Sequence, residues 1–399
     1  MKPLEDITII DLSKYAAGPF CTMIFADLGA EVIKVEALDS QDEARNFTPY
    51  IGRDETKMGG YFAQYNRNKK GITLNLKAPE GKEIFKKMVT KADVIIENYR
   101  PGVMKKLGLD YEVLKAINPR LVYVAISGYG HYSPYSNRPA FDNSAQAVSG
   151  IWSINGYPDR PPVRVGTIIG DFSASLFAAI GLLAALHHVK NTGTGQFVDI
   201  AQVDTTLAIT ETMVTNYMME GKIQKPMGND HPFVMPYSAF KAKDGYIFFG
   251  GYTDKLWPIA CEFFGEPEFA HEPGIETMTK RNVVSVYEKR IKPKLVGWIS
   301  KYTIAELMEG LAEKVPISPI NDVTMVVKDP HVKARDMVIE YEYPVGKIGM
   351  IGQPIKMSQT PAEPRGPAPY IGEHNEEVYG KFLGIGPIEL KALRENGVI

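Results

Sequence analysis

The chain has 399 residues, of which 44% are hydrophobic and 23% charged, a composition typical of globular proteins and long enough for two domains. Its 45 basic and 47 acidic residues give a formal net charge of −2, which argues against a general nucleic-acid binder or a polybasic membrane surface. Two cysteines, Cys21 and Cys261, are too few for a disulfide framework or a thiolate metal cage. No stretch approaches the roughly 18 apolar residues of a membrane span, and the start, MKPLEDITIIDL, is unlike a signal peptide. We therefore expect a cytoplasmic protein.

Short apolar runs alternate with segments of helical spacing in the first part of the chain. Ile7–Leu12, Pro19–Leu28 and Glu31–Glu36 predict a strand, a helix and a strand, which together form a βαβ unit. Further strands are predicted at Ile72–Leu76, Val94–Glu97, Leu121–Ser127 and Phe197–Val203, and further helices at Pro79–Ala92, Tyr111–Ile117, Asp171–Val189, Asn375–Phe382 and Pro387–Glu395. This alternation predicts an α/β fold with a Rossmann-like parallel sheet covered on both faces.

The composition of the sequence changes after Glu220. The segment 221–236 is polar and broken by proline and glycine, which is typical of a linker or an active-site loop. A hairpin is predicted at Tyr237–Gly251 and helices between Lys255 and Lys314. We predict a large domain at 1–220, a smaller α+β domain at 225–330, and a C-terminal return to the large domain at 331–399.

The first βαβ unit raises the possibility of dinucleotide binding. Glu36 ends the second strand, where a ribose-binding acid would stand. The turn after the first strand reads SKYAAGPF, however, with one glycine where the phosphate-binding motif needs three. The sequence therefore favours a Rossmann-like scaffold without NAD, in which Glu36 is a charge at a strand end.

The sequence lacks the motifs of several other common metal sites and active sites. The seven histidines are scattered, and the adjacent His187 and His188 point to different sides of a helix, so no metal site is predicted. There is no Gly-x-Ser-x-Gly elbow, and Ser127–His131 is typical of a glycine-rich turn. The basic clusters at Asn66–Gly71 and Lys105–Lys106 are solvated by default but would suit a ligand with several phosphates.

Asp171 stands at the start of the longest helical segment, directly after Gly170. Asp171–Val189 is apolar almost all round, which predicts a buried helix. An aspartate in front of a helix is an N-cap, accepting hydrogen bonds from backbone N–H groups. The same carboxylate can also be a nucleophile, kept ionised by the helix N-terminus. The two roles are compatible, and the pattern leaves both open.

Several long segments resemble the class III CoA-transferases, the group of the carnitine, formyl-CoA and bile-acid CoA-transferases. The resemblance covers essentially the whole chain, with its motifs in the same order. They are AAGPFCTMIFADLGAEVIKVE (16–36), NRNKKGITLNLKAPEGKEIF (66–85), ADVIIENYRPGVMKKLGLDYEVLKAINPRLVYVAISGYG (92–130), RPAFDNSAQAVSG (138–150) and GDFSASLFAAIGLLAALHHVKNTGTGQFVDIAQVD (170–204), followed by YSAFKAKDGYIFFGG and DPHVKARDMV.

The resemblance implies an acyl-CoA:carboxylate CoA-transferase in which Asp171 is the nucleophile. CoA would pass between carboxylic acids through aspartyl anhydride and aspartyl-CoA thioester intermediates. Water must be excluded and the oxyanions need donors, for which Gly250–Gly251 and the loop 228–236 are candidates. CoA and acyl-CoA are implied as cosubstrates, with no permanently bound cofactor and no metal.

The resemblance also implies that CoA lies across the Rossmann-like domain. The matching positions are Ala16, Ala17, Leu74 to Lys77, Asn98, Tyr99, Arg100, Lys106 and the stretch around Arg138. Ala16 and Ala37 stand where the formyl-CoA enzyme carries Gln and Arg, and its four-glycine loop is absent. Formyl and oxalate are therefore disfavoured as substrates, and the layout is closest to the carnitine-type branch. Tyr15, Phe141, Met235 and Tyr237 are candidates for a largely apolar acyl pocket, which disfavours small dicarboxylates as substrates.

Two alternatives remain at this point. A 2-methylacyl-CoA racemase shares the implied fold, but racemases use a histidine where this chain has Phe141, in Ala140-Phe141-Asp142. Phenylalanine cannot exchange a proton, so this reading is disfavoured. A non-catalytic CoA-binding protein would require Asp171 to be only a cap.

The expected partners are an acyl-CoA donor, a carboxylic-acid acceptor and a second copy of the chain. Members of the group form interlocked homodimers, and the extended stretches 221–236 and 353–372 fit such a design. No nucleic acid and no membrane are expected as partners.

Overall fold

The computed structural model describes residues 2–53, 57–343 and 346–399. The strands are β1 Thr8–Asp11, β2 Glu31–Glu36, β3 Tyr50–Ile51, β4 Met58–Gly59, β5 Lys70–Thr73, β6 Val94–Glu97, β7 Val122–Ser127, β8 Phe197–Ala201, β9 Ser238–Lys241, β10 Tyr246–Phe249, β11 Ile317–Pro319, β12 Val338–Tyr343 and β13 Gly346–Ile351.

The α-helices are α1 Ala17–Asp27, α2 Gly60–Asn66, α3 Pro79–Val89, α4 Val103–Leu107, α5 Tyr111–Ile117, α6 Asp142–Val148, α7 Ile151–Ile154, α8 Ile169–Thr192, α9 Gln202–Ala208, α10 Met213–Glu220, α11 Leu256–Phe263, α12 Met278–Arg281, α13 Val284–Val286, α14 Lys292–Ile299, α15 Ile304–Leu311, α16 Val323–Val326, α17 Pro330–Ala334, α18 Asn375–Glu377 and α19 Pro387–Glu395. Short 3-10 helices lie at Glu43–Asn46 and Pro267–His271, and π-helical turns at Tyr287–Ile291 and Val378–Phe382.

The chain divides into two compact units. The first contains Met1–Trp152, Arg164–Gly221 and Pro330–Ile399, and the second contains Ser153–Val163 and Lys222–Asp329. The second unit thus includes a short segment, Ser153–Val163, that the sequence-based boundaries place at 1–220. Those boundaries remain a prediction.

In the described part of the first unit, six parallel strands form the main sheet in the order β5-β2-β1-β6-β7-β8. Numbered along the chain, this is the 3-2-1-4-5-6 order of doubly wound nucleotide-binding sheets. The predicted parallel α/β sheet is therefore confirmed. The order reverses direction between β1 and β6, and ligands of such sheets bind outside the carboxyl ends of the strands at that point.

Apolar side chains cover both faces of this sheet, as expected for parallel strands. One face packs against α3, α5 and the C-terminal helices, with Phe85, Leu114 and Tyr379 in its core. The other packs against α1 and α8, with Phe25, Ala178 and Leu182 in its core. The two layers fix the carboxyl ends of β1 and β6, from which the loops of the candidate site emerge.

Helix α8 differs from its prediction in three ways. It begins at Ile169, so Asp171 is in its first turn rather than in front of it. Only one face is buried on the sheet, because Leu176, Phe177, Ile180 and Leu183 are exposed. Its length and apolar composition also reach those of a membrane span, with 44% of the apolar window buried, so the exclusion of a span-length segment from sequence was wrong.

Other elements also depart from expectation. Gln202 and Val203 belong to α9, which the sequence pattern merged with the preceding strand. The antiparallel pair of β12 and β13 was not predicted. The second unit contains the predicted hairpin as β9 and β10, and β11 adds antiparallel to β10. Its core is built around Trp257 and Leu295.

Candidate active site

A cleft of about 350 Å³ opens at the carboxyl ends of β1, β2, β5 and β6, where the strand order reverses. Its lining includes Leu12 and Lys14 after β1, Ala37 after β2 and Val103 in α4. Six predicted CoA-contacting residues also line it, namely Leu74, Asn75, Leu76, Lys77, Tyr99 and Lys106. The place is the one where doubly wound sheets bind nucleotide ligands.

The other predicted CoA positions lie outside the lining of this cleft. Ala16 and Ala17 are buried at the start of α1, so only their backbone could meet a ligand. Asn98 exchanges two 2.8 Å hydrogen bonds with the backbone N–H and carbonyl of Lys14, so its side chain holds the loop after β1. Arg100 is exposed, and exposed Arg138 stacks on Tyr135 with 3.7 Å between its guanidinium carbon and the ring centroid.

Glu36 is the last residue of β2, the strand-end charge expected from the sequence. It is buried, and Arg45 donates to both of its carboxylate oxygens, at 3.0 and 2.5 Å. Arg45 and the neighbouring charges outweigh the effect of burial and hold the pKa of Glu36 below its ordinary value. Because this carboxylate is used in a buried ion pair, it is not free to bind a ribose.

Asp171 lies in the first turn of α8 and is partly buried. The side-chain amide of Gln202, at the start of α9, donates to Asp171 Oδ1. The hydroxyl of Ser175 lies 2.7 Å from the Asp171 carbonyl oxygen and 2.6 Å from that of Ala17. The carboxylate is thus held on one oxygen, and its backbone is joined to the turn that leads to the cleft.

The carboxylate of Asp142 caps α8 from a separate helix, α6. Its Oδ1 accepts hydrogen bonds from the N–H groups of Gly170 at 2.8 Å and Asp171 at 3.3 Å, while Gln146 donates to Oδ2 at 2.6 Å. Asp171 makes no side-chain cap of its own helix, so the N-cap interpretation was wrong. Asp142 performs that role.

The pKa of Asp171 is raised from its ordinary value to about 7. Burial is the largest cause, the negative charge of Asp142 adds to it, and the hydrogen bond from Gln202 opposes both. Sequence reasoning predicted that the helix N-terminus keeps this carboxylate ionised. That expectation fails because the free N–H groups of the terminus bind Asp142 instead.

Aromatic rings form a continuous chain beside these carboxylates. Successive ring centroids lie 5.1 to 6.3 Å apart along the series Phe141, Tyr15, Phe47, Tyr61, Tyr65 and Phe172. The series begins next to Asp142 and ends next to Asp171 in sequence. Of the predicted acyl-pocket residues, Tyr15 and Phe141 are therefore brought together.

The remaining predicted pocket and oxyanion residues belong to the second unit. Met235 is buried in that unit's core, and Tyr237 packs on Phe248 at 4.6 Å. The Gly250 N–H donates to the Pro316 carbonyl at 2.8 Å, and the Gly228 N–H donates to the Gly156 carbonyl at 2.7 Å. These two amides are therefore engaged within their own unit.

Sequence reasoning missed Asp142 and Gln202 as site residues. Asp142 was considered in the racemase comparison and as an acid for a cationic acceptor, not as the cap of α8, and Gln202 was assigned to a strand. The sequence offered one signal, which is that Asp142 and Gly170 are a polar residue and a glycine that each stand next to the start of a predicted or observed helix. Within residues 2–53, 57–343 and 346–399, no group of His, Cys, Asp or Glu is arranged to hold a metal.

A nucleotide-binding sheet whose cleft is linked, through the turn after β1 and Ser175, to a carboxyl of raised pKa is typical of enzymes that act on a nucleotide-bearing cosubstrate. The chain belongs to CoA-transferase family III, whose family model matches residues 4–375. It is thus a CoA-transferase, an enzyme class that uses CoA thioesters as cosubstrates.

Individual relatives match along nearly the whole chain. The succinyl-CoA:mesaconate CoA-transferase of Haloarcula marismortui is 36% identical, covering 95% of this chain and 96% of the relative. The human succinyl-CoA:glutarate CoA-transferase is 34% identical, covering 100% and 90%. A crystal structure of a CAIB/BAIF family protein from Brucella suis has a TM-score of 0.85 at 33% identity, covering 95% and 99%.

Proposed function

We propose that this enzyme moves CoA between two carboxylic acids, with the Asp171 carboxylate as the nucleophile. The observation that carries the proposal is the placement of Asp171. Its carboxylate accepts from Gln202, its backbone N–H donates to Asp142, and its carbonyl is joined through Ser175 to the turn that borders the cleft at the switch point. A carboxylate with a pKa near 7 is only partly ionised at neutral pH, and its ionised form is the more nucleophilic for having been desolvated.

The transfer consists of four balanced steps. An Asp171 oxygen attacks the thioester carbon of the donor, the carbon–sulfur bond breaks, and CoA leaves as a thiolate, giving a mixed anhydride. The thiolate attacks the aspartyl carbonyl and expels the donor acid as a carboxylate, giving an aspartyl-CoA thioester. The acceptor carboxylate then attacks this thioester and releases the thiolate. In the last step the thiolate attacks the acceptor's acyl carbon and frees the Asp171 carboxylate.

The residues around Asp171 would support these steps in different ways. Gln202 donates to one carboxylate oxygen and can follow it as charge develops in the tetrahedral intermediates. Asp142 keeps α8 capped and holds the backbone of Asp171 in place. The less exposed rings of the aromatic series, Tyr61, Tyr65 and Phe172, would limit the access of water, which would otherwise hydrolyse the anhydride and the thioester.

The acids are proposed to be short dicarboxylates, with succinyl-CoA as the donor. The two relatives described above are named for succinyl-CoA together with a second dicarboxylic acid. Within the aromatic series, the phenols of Tyr61 and Tyr65 are donors suited to a distal carboxylate. Burial raises the pKa of both phenols, with a smaller contribution from Asp171, so both stay protonated. This proposal departs from the carnitine-type branch suggested by the sequence layout, and from the sequence-based expectation that an apolar pocket disfavours small dicarboxylates.

The CoA moiety is proposed to occupy the cleft at the switch point. Leu74 and Tyr99 would pack against it, and Lys77 and Lys106 would meet its phosphates. The enzyme is proposed to act as an interlocked homodimer, supported by the exposed apolar face of α8 that begins one turn after Asp171. We keep the cytoplasm as the proposed location.

Trapping the covalent intermediate tests the mechanism. The protein is incubated with a panel of acyl-CoAs, treated with hydroxylamine, and mapped by peptide mass spectrometry. We expect a hydroxamate at Asp171, strongest with succinyl-CoA and absent in Asp171→Ala. The variant Asp204→Ala, which removes an exposed aspartate two residues beyond Gln202, keeps the adduct. Product analysis with dicarboxylates and carnitine as acceptors then decides the acid class.

A different pair of results would contradict the proposed mechanism. No adduct with any thioester, together with deuterium exchange at a substrate α-carbon, would establish racemase chemistry. The exposed ring of Phe141, 69% accessible, offers no proton-exchanging group for that reaction.

A further inference from the structure

The turn 13–17 links the cleft to the proposed nucleophile. It joins β1 to α1, and Lys14 within it lines the cleft. Its last residue, Ala17, accepts from the Ser175 hydroxyl that also meets the Asp171 carbonyl. The position of this turn therefore relates the site for CoA to the carboxylate that would attack its thioester.

The turn has an unfavourable backbone conformation at Tyr15. Tyr15 has φ = +64°, in the left-handed region that a bulky side chain rarely adopts. Asp42 accepts from the Tyr15 N–H at 3.1 and 3.3 Å, and Glu43 accepts from its hydroxyl at 2.6 Å. A residue in such a conformation is found only where several surrounding contacts hold it there, and this often occurs at functional sites.

Lys34, in β2, connects the turn to Asp42. Its ammonium group donates to the Ser13 carbonyl at 2.7 Å and to Asp42 Oδ2 at 3.1 Å, and neither charged side chain is exposed. Burial would lower the pKa of Lys34, but Asp42, Asp11 and Glu36 outweigh it and raise that pKa, so the group stays charged. A single cation thus fixes both the backbone of the turn and the carboxylate that holds Tyr15.

Contacts with neighbouring residues also fix the start of the turn, at Ser13. A Cβ at Gly18 would lie 2.1 Å from the Ser13 Cβ, so the turn packs directly on the first turn of α1. Asp11 accepts from the Ser13 N–H at 2.9 Å and is itself paired with buried Lys69 at 2.9 Å. A rigid turn of this kind keeps two reacting groups at a fixed separation, and a misplacement of about 1 Å can cost on the order of 100-fold in rate.

We propose that Lys34 is a positioning residue for the transfer reaction, which acts by fixing the turn 13–17 between the CoA cleft and Asp171. It touches neither substrate nor the reacting carboxylate. The inference rests on the proposed function of Asp171, since the turn matters only if Asp171 attacks the thioester.

The chain offers a matched control for the test. Arg67 and Asp27 form another buried ion pair in the same unit, 2.7 Å apart, with side chains at most 1% exposed, so Arg67 is not available to a phosphate as its sequence cluster suggested. Asp27 ends α1, whereas the turn precedes its start. Replacing either buried cation by methionine leaves an unpaired buried carboxylate, so both variants lose stability for the same reason.

The experiment compares wild type, Lys34→Met and Arg67→Met in single turnover with succinyl-CoA, following formation of the Asp171 adduct per folded molecule. We expect Lys34→Met to slow adduct formation at saturating succinyl-CoA by about tenfold or more. Its Kd for CoA, from calorimetry, stays within about threefold of wild type because Asn98 holds Lys14 independently. Arg67→Met keeps the wild-type rate.

A second variant keeps the test decisive if Lys34→Met does not fold. Lys34→Met/Asp42→Asn removes both charges, and asparagine still offers an oxygen to the Tyr15 N–H. It leaves no unpaired buried carboxylate but still lacks the donor to Ser13, so its rate is also expected to be low. A wild-type rate in this variant, an equal loss in Arg67→Met, or a loss confined to CoA affinity would overturn the role of Lys34. Absence of an Asp171 adduct in the wild type would instead overturn the proposed mechanism, and the role of Lys34 with it.

Discussion

At the scale of single residues, the raised pKa of Asp171 is the property with the most direct chemical consequence. A carboxylate must be ionised to attack a thioester, and this one is protonated more readily than an exposed aspartate because it is buried beside Asp142. In the proposed mechanism, the site thus combines a weaker preference for the charged form with a more basic nucleophile. Gln202 limits the shift, since its hydrogen bond favours the ionised form.

This balance predicts the pH dependence of the reaction. The rate of Asp171 adduct formation should rise with pH through about 7 and then level off, as the carboxyl loses its proton. Gln202→Met removes the hydrogen bond that lowers the pKa, so the midpoint should move to higher pH. Single-turnover rates between pH 5 and 9, on the order of one half-unit apart, measure it.

A buried glutamine elsewhere provides the control for that change. Gln353 donates to Asp27 at 2.9 Å in the same unit, away from Asp171. Gln353→Met should leave the midpoint where it is in the wild type. A midpoint that stays near 7 in Gln202→Met as well would show that Gln202 does not tune Asp171.

Stability depends on the same carboxyl, and the sign follows from linkage. The folded protein binds this proton more tightly than the unfolded chain does, because the folded pKa lies above the ordinary value of 3.8. The stability that Asp171 contributes is therefore present at low pH and is lost as pH rises through about 7. The ionised form of Asp171, which the proposed mechanism requires, is therefore the less stable one with respect to this group.

At the scale of elements, the sequence predicted the scaffold well and the site only in part. Strands Glu31–Glu36 and Val94–Glu97 were predicted with the observed bounds, and Val94–Glu97 shows the short apolar run expected of a buried parallel strand. The exposed half of α8 and the capping of that helix by Asp142 were not predicted. Both depend on what a distant segment or another molecule places against the helix, and local composition carries no record of that.

The C-terminal end of α8 is determined by its local sequence. Gly193, at φ = +74°, donates its N–H to the Val189 carbonyl and stops the helix. Gly193→Ala should lower the free energy of unfolding by about 1 kcal/mol, since a Cβ is unfavourable at positive φ. Its Cβ would meet no atom closer than 3.6 Å, so the cost would come from the backbone. Denaturant titration measures the change.

Gly297 is the matched position for that substitution. It lies inside α14, and a Cβ there meets nothing within 4 Å. Gly297→Ala should raise the free energy of unfolding by about 0.5 to 1 kcal/mol because alanine restricts the unfolded chain. Transfer activity per folded molecule should be unchanged in Gly193→Ala, and a fall in it would mean that the end of α8 influences the site.

At the scale of the whole molecule, the unpartnered side of α8 is the strongest argument for a second subunit. Leu176, Phe177, Ile180 and Leu183 recur with helical spacing and are exposed together. Isolated exposed apolar residues are common, but a contiguous stripe on a core helix marks an interaction surface. Because the same helix carries Asp171 in its first turn, assembly and catalysis would involve a single element.

The proposed homodimer gives the last prediction. Light scattering of the purified protein should give twice the 44.3 kDa mass of the chain. Ile180→Lys places a charge in the stripe, where the side chain is 63% exposed, and should shift the protein to monomers, aggregates or low yield, because a buried unpaired charge is costly. Ile388→Lys is the control, since Ile388 is 90% exposed on α19 and outside the stripe, and it should leave the mass unchanged.

If the subunits are interlocked, mixed tagged and untagged dimers should not exchange subunits unless they are unfolded first. A monomeric wild type, or a dimer that tolerates Ile180→Lys, would show that α8 does not form a subunit interface. Rapid exchange of subunits between dimers would contradict only the interlocking.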